Sequence, residues 1–145
     1  MKVRMVKKIL EANDRIAEDN RRTLGRAGVT TINLMSAPGA GKTTLLGKTI
    51  TELNESVRFG VIEGDIQGTH DADVIAALHV PVVQINTDGA CHLDANMVFE
   101  AMQDLPLDEL DLLVIENVGN LVCPAEFDVG EDAKVMLLSV TEGDD

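Results

Sequence analysis

Val29–Ser36 (VTTINLMS), a short run of β-branched and apolar residues, leads directly into Ala37–Thr44 (APGAGKTT) and then into a helical pattern reaching about Asn54. Strand, glycine-rich turn and helix in that order are the context in which a turn holds phosphate. Gly39 and Gly41 let backbone N–H groups converge on phosphate oxygens. Pro38, Ala40 and Thr44 complete the loop, and the helix N-terminus adds the positive end of its dipole. Lys42 is spaced to bridge terminal phosphates, and the Thr43 hydroxyl to bind Mg2+. Ser36 stands where the usual pattern has its first glycine, while Gly39 to Thr44 keeps the remainder.

Outward from this loop, short apolar runs alternate with helical segments. Strands are expected at Val57–Glu63, Pro81–Asn86, Asp111–Ile115 and Lys134–Val140, and helices at Asp71–His79 and about Cys91–Gln103. This alternation predicts an α/β fold, a doubly wound, mostly parallel sheet whose ligands lie beyond the carboxyl ends of the strands. Residues 1–24 form an amphipathic helix with Val6, Ile9, Leu10, Asn13, Ile16, Ala17, Asn20 and Leu24 on one face, stopped by Gly25 and Gly28. Two asparagines in that stripe weaken a fully apolar seam. Residues 1–28 are thus read as helix and linker, and 29–145 as the phosphate-binding domain.

The chain's 145 residues, 45% of them hydrophobic, suit one domain with a real core. With only Phe59, Phe99 and Phe127 aromatic, that core is aliphatic. Twelve Lys and Arg against 25 Asp and Glu give a net charge of −13, which argues against nucleic-acid backbone or anionic membrane as partners. No run approaches the ~20 apolar residues of a membrane span, and the N-terminus lacks a signal-peptide core, so a cytoplasmic setting is expected.

A phosphate site needs carboxylates for its metal. Asp65 follows the second strand in Glu63-Gly64-Asp65, and Glu116 ends the run Leu112–Ile115, with Gly119 three residues on. In switch GTPases such a glycine N–H senses the γ-phosphate, and its loop reorganises on hydrolysis. Cys91-His92, expected to open the third helix, and Cys123-Pro124, seven residues past Glu116, bring thiolate and imidazole donors suited to Zn2+ or Ni2+. Three ligands leave a four-coordinate site to be completed by water or a second subunit. Two buried thiols and a surface histidine are the alternative. The position of Cys123 just past the sensor favours coupling of metal to nucleotide. His79 is read as a helix cap, and His70 carries no assigned role.

The Gly39–Thr44 loop, Glu63-Gly64-Asp65, Cys91-His92-Leu93-Asp94 and above all Glu116–Pro124 (ENVGNLVCP) resemble the HypB family, the nickel-incorporation GTPases of [NiFe]-hydrogenase maturation. The urease accessory G proteins, with a Cys-Pro-His metal motif, fit less well. The resemblance spans essentially the whole chain. It implies a P-loop GTPase of the signal-recognition-particle class that forms a homodimer on binding GTP. It implies Ni2+ or Zn2+ on Cys91, His92 and Cys123, the nickel chaperone HypA as partner, and nickel delivery to the hydrogenase large subunit. It further implies partner contact through the N-terminal helix, which Asn13 and Asn20 would suit. No cysteine- or histidine-rich motif precedes Lys7, and the guanine-reading Asn-Lys-x-Asp motif has no counterpart before Asp145. Guanine preference thus rests on the resemblance, and a chain truncated at its C-terminus, with an open sheet edge, is expected.

The expected activity is slow GTP hydrolysis. Lys42 and the loop amides hold phosphate, Thr43, Asp65 and Glu116 hold Mg2+, Asp65 orients water, and Gly119 senses the nucleotide. No arginine is placed by motif to speed the reaction. The alternatives are a non-catalytic metal-binding dimerisation module and a generic P-loop ATPase.

Overall fold

β1 (Thr30–Ser36), β2 (Phe59–Asp65), β3 (Val82–Asn86), β4 (Leu112–Glu116) and β5 (Ala133–Leu137) form one sheet in the order β3-β2-β4-β1-β5, with every pairing parallel. The computed structural model describes residues 2–65, 70–120 and 122–140, the side chains of residues 2–7 and 70 excepted. Val6 of the helical stripe, the His70 ring, Leu121 of the ENVGNLVCP run and the chain end at residues 141–145 lie outside the described residues.

The central strands carry apolar side chains on both faces, as a parallel sheet covered by helices requires. Ile62, Leu113 and Ile115 face α1 (Lys2–Arg26) and α4 (Ala95–Met102), where Leu24, Val98, Ala101 and Met102 join them. Phe59, Val61 and Val114 face the other way, onto Leu46 and Ile50 of α2 (Lys42–Leu53) and Ile75 of α3 (His70–Ala76). No described helix is long and apolar enough to cross a membrane.

The first helix runs through Gly25 to Arg26, and Gly28 alone ends it. The Val29 N–H donates to Leu24 O at 2.9 Å, and Gly28 N–H to Gly25 O at 3.1 Å, with Gly28 at φ 77°. That double bond pattern needs a left-handed residue and seals with the Leu24–Val29 apolar contact. From Asn13 to Leu24 the helix belongs to the core, while Ile9 of the expected stripe is exposed. Asn13 and Asn20 face inward rather than offering a polar face outward. Asn13 donates to Asp128 O and accepts from Ala95 N–H, while Asn20 donates to Ala95 O and Val129 O. These partners lie 75 to 115 residues along the chain, which hides them from any local pattern.

Three further boundaries depart from expectation. Cys91 and His92 lie ahead of α4, because Asp94 caps it with a 2.8 Å bond from Met97 N–H. α3 stops at Ala76, leaving His79 in the turn beyond with φ 62° and its backbone N–H on Ala76 O. β5 ends at Leu137, and Leu138 and Val140 are exposed. A single helical turn, α5 (Cys123–Glu126), with proline in its first turn, and a 3-10 turn at Leu107–Glu109 were not expected from the pattern.

Candidate nucleotide and metal site

Parallel register places Glu63 of β2 directly beside Glu116 of β4, so both carboxylates emerge on one face at the carboxyl edge of the sheet. The β1–α2 loop arches over them. Gly39 and Gly41 take φ values of 75° and 98°, a region side-chain-bearing residues avoid. Two adjoining hollows of about 240 and 310 Å3 open here, sharing Gly39, Lys42, Asp71 and Glu116. Pro38, Asp65 and Gly119 line the first, and Gly41, Thr43 and Thr44 the second. Ala40 lines neither; its amide donates within the loop to Ala37 O. A roomier hollow of about 480 Å3 beside α2 lacks the carboxylate pair that distinguishes these two.

The Lys42 ammonium rests on Ser36 Oγ at 2.8 Å, so the serine at the first loop position gives the lysine a seat. The Thr43 hydroxyl donates to Glu116 Oε1 at 2.6 Å. Gly119 packs against the loop itself: a Cβ there would stand 2.9 Å from Pro38 Cα. The turn after β4 and the phosphate loop therefore touch through backbone.

Glu63 and Glu116 are each 2% exposed, and Glu63 Oε1 and Glu116 Oε2 have no hydrogen-bond partner. Burial, followed by the hydrogen bond to Glu116 and that neighbour's charge, pushes Glu63 up to about 10, so it holds a proton at neutral pH. Carboxylate oxygens of Glu63, Asp71 and Glu116 lie within 4.8 Å of one another. Two orphaned buried oxygens in an all-oxygen set fit a hard divalent cation such as Mg2+. Sequence reasoning missed Glu63 and Asp71. The signal for Glu63 was a charged residue inside an apolar strand. Asp65, expected as a metal ligand, lines the same hollow without belonging to that trio.

The sulfurs and imidazole converge as well. Donor atoms of Cys91, His92 and Cys123 lie within 4.8 Å of one another, with Cys91 Sγ 3.7 Å from His92 Nδ1. Asn120 Oδ1 accepts from the N–H groups of Val122 and Cys123, fixing the start of α5. Phe127, which no motif announced, stacks on the His92 ring at 3.9 Å and 19°. The Cys91 thiol, burial and the charge of Glu126 hold Cys123 above the usual thiol range. A metal therefore has to displace protons here. Soft thiolates with one imidazole suit Ni2+ or Zn2+.

A parallel sheet whose first loop carries Gly41-Lys42-Thr43 above a buried carboxylate pair defines a P-loop nucleotide-binding domain. The sequence matches the family described as CobW/HypB/UreG, nucleotide-binding domain, over residues 30–142. The hydrogenase maturation factor HypB of Escherichia coli K12 is 53% identical over 137 residues, covering 94% of this chain and 47% of that protein. The probable hydrogenase maturation factor HypB of Methanocaldococcus jannaschii is 46% identical, covering 97% of this chain and 64% of that protein. Among solved structures, HypB of Helicobacter pylori in complex with nickel superposes with a TM-score of 0.87 at 41% identity, covering 92% of this chain and 63% of that one. HypB of Archaeoglobus fulgidus gives a TM-score of 0.85 at 41% identity, covering 94% and 66%. The chain belongs to the CobW/HypB/UreG family, on its HypB branch. It spans about half the length of several of the curated relatives it matches.

Proposed function

We propose that this chain is the nucleotide- and nickel-handling domain of a hydrogenase maturation factor, a slow GTPase in which nucleotide state and nickel binding act on each other. One observation carries the reading. Glu116, hydrogen-bonded to Thr43 of the phosphate loop, and Cys123, clustered with Cys91 and His92, stand only seven residues apart along the chain.

The amides of Gly39–Thr44 and the Lys42 ammonium receive the phosphates, drawing Lys42 off Ser36. Thr43, Asp65 and Glu116 would hold Mg2+, with the Glu63 and Asp71 carboxyl groups close by; when bound, the ion would supply positive charge to the phosphate oxygens. Asp65 orients the attacking water. The Gly119 N–H meets the terminal phosphate, and movement of its turn shifts Cys123. Nickel is cargo: it would take the Cys91 and Cys123 sulfurs as the thiols give up their protons, and the lone pair of the His92 imidazole. By linkage, each ligand changes the other's affinity by the same factor. Pairing of two copies on GTP, supply of nickel by HypA and delivery to the hydrogenase large subunit complete the proposal. The two free thiols suit a reducing, cytoplasmic setting.

Phosphate release with GTP, with ATP competing, is the first test. Lys42→Ala is expected to lose nearly all turnover, and equal rates in variant and parent overturn the assigned site. Nickel titration is the second. Cys91→Ala and Cys123→Ala are each expected to abolish stoichiometric binding, and unchanged stoichiometry in both removes the metal assignment.

A further inference from the structure

Leu93, next after His92, is fully buried between the end of β2, which its side chain covers, and the residue after β4, to which its amide is bonded. Its side chain fills the space over Gly64, where a Cβ would come within 2.9 Å of it. Its N–H donates to Asn117 Oδ1 at 3.2 Å. Asn117 is itself 1% exposed, and its side chain is a junction. Oδ1 also accepts from Val118 N–H at 2.9 Å, and Nδ2 donates to Asn33 Oδ1 at 3.0 Å. Asn33 in turn donates to Glu131 Oε1 at 3.3 Å, which anchors the junction to β1 and the loop before β5.

The two halves of the thiol–imidazole cluster sit on different loops. Cys123 is joined to the turn after β4 through the chain. Among the described residues, Cys91 and His92 reach that turn through their neighbour Leu93, whose amide hangs on the Asn117 side chain, while the His92 ring also stacks on Phe127 beyond Cys123. We propose that Asn117 is a positioning residue that ties the Cys91-His92 half of the metal cluster to the nucleotide-sensing turn. Motion of Val118 and Gly119 then moves both halves. This rests on the coupled reading given under Proposed function. With the Asn117 carboxamide removed, the turn still carries Cys123, while the Cys91-His92 loop keeps its Phe127 contact but loses its hold on the turn itself. Asparagine suits the post because one oxygen accepts two amides while the nitrogen is held by Asn33, which fixes its orientation.

The test is the ratio of nickel affinities with GDP and with a non-hydrolysable GTP analogue, measured on the intact chain by titration and by the thiolate-to-nickel absorption band. The parent is expected to show a ratio of about fivefold or more, a typical size for site-to-site coupling. Asn117→Ala is expected to bring the ratio below about twofold and to remove the nucleotide-dependent shift of the band. Asn117→Asp keeps the doubly accepting oxygen but turns its second oxygen on Asn33 Oδ1, and is expected to keep a ratio between those of the alanine variant and the parent. Should the alanine variant fail to fold, Asn117→Ser, too short to reach the Leu93 amide, is expected to lose the ratio in the same way. A parent ratio near one overturns the coupled reading itself. A parent ratio that survives in the alanine or serine variant overturns the role of Asn117 alone.

Discussion

Replacing Asn20 with alanine tests how the first helix is held. Asn20 is 1% exposed, and its Nδ2 reaches Ala95 O at 2.9 Å and Val129 O at 3.0 Å, tying α1 to the start of α4 and the loop before β5. Truncation leaves two buried carbonyls without this donor, at roughly 1–3 kcal/mol each. It also removes the buried, unpartnered Oδ1 of Asn20, which returns part of that cost. The net expectation is a loss of about 2–4 kcal/mol, a large share of the ~5–15 kcal/mol that stabilises a domain. The chain has no Trp or Tyr, so urea unfolding is best followed by far-UV circular dichroism. The midpoint should fall with little change in slope. Asn20→Asp sets a carboxylate against two carbonyl oxygens and should lose more at neutral pH. Part of that loss returns in acid, where the protonated group donates again. A loss below about 0.5 kcal/mol for the alanine variant, the size of a surface change, refutes the inward role of Asn20.

Three other outcomes follow from the geometry. Gly119→Ala places a Cβ 2.9 Å from Pro38 Cα and 3.2 Å from Pro38 N, both backbone. It is expected to cost about 1–3 kcal/mol and to weaken triphosphate binding more than diphosphate binding, as read by nucleotide titration. Gly130 combines φ 103° with a would-be Cβ 2.7 Å from Asn20 Cβ and 2.9 Å from Ala17 O. Gly130→Ala should therefore destabilise by more than ~1 kcal/mol in the same urea assay. Glu63 gives a pH dependence. Its carboxyl rises from 4.5 to about 10 on folding, so its contribution to stability is full below pH 4.5 and drains away as pH climbs toward 10. Each pH unit within that window is worth about 1.4 kcal/mol. Without divalent metal, Glu63→Gln should exceed the parent by about 3 kcal/mol near pH 7 and match it near pH 4. A constant difference across that range contradicts a Glu63 carboxyl that keeps its proton at neutral pH.

The phosphate loop, the five strands and the Cys91, His92 and Cys123 set are legible in the sequence because each rests on local order. A strand runs into glycines and a helix, apolar runs recur at strand length, Cys91 stands beside His92, and Cys123 lies within a distinctive run. Features set by register and by distant partners are not. Glu63 meets Glu116 only because β2 and β4 lie side by side, and its place inside an apolar strand was the one local hint. Asn13 and Asn20 look like flaws in a stripe until their backbone partners in the 95 and 128–129 regions come alongside. Cys91 and His92 look helical because the apolar spacing extends across them; the capping preference of Asp94 was the competing signal, and it prevails. The stacking of Phe127 on His92 joins two loops 35 residues apart and left no trace in composition or spacing.

The central claim is that one short segment links a triphosphate site to a nickel site. The most direct measurement is a crystal structure with a non-hydrolysable GTP analogue, Mg2+ and nickel, with anomalous data collected at the nickel edge. The account predicts phosphate oxygens on the Gly39–Thr44 amides, Gly119 N–H at the terminal phosphate, and a nickel peak ligated by Cys91 Sγ, His92 and Cys123 Sγ. A nickel peak elsewhere, or a triphosphate bound with the Gly119 turn and Cys123 unmoved from their positions here, contradicts it.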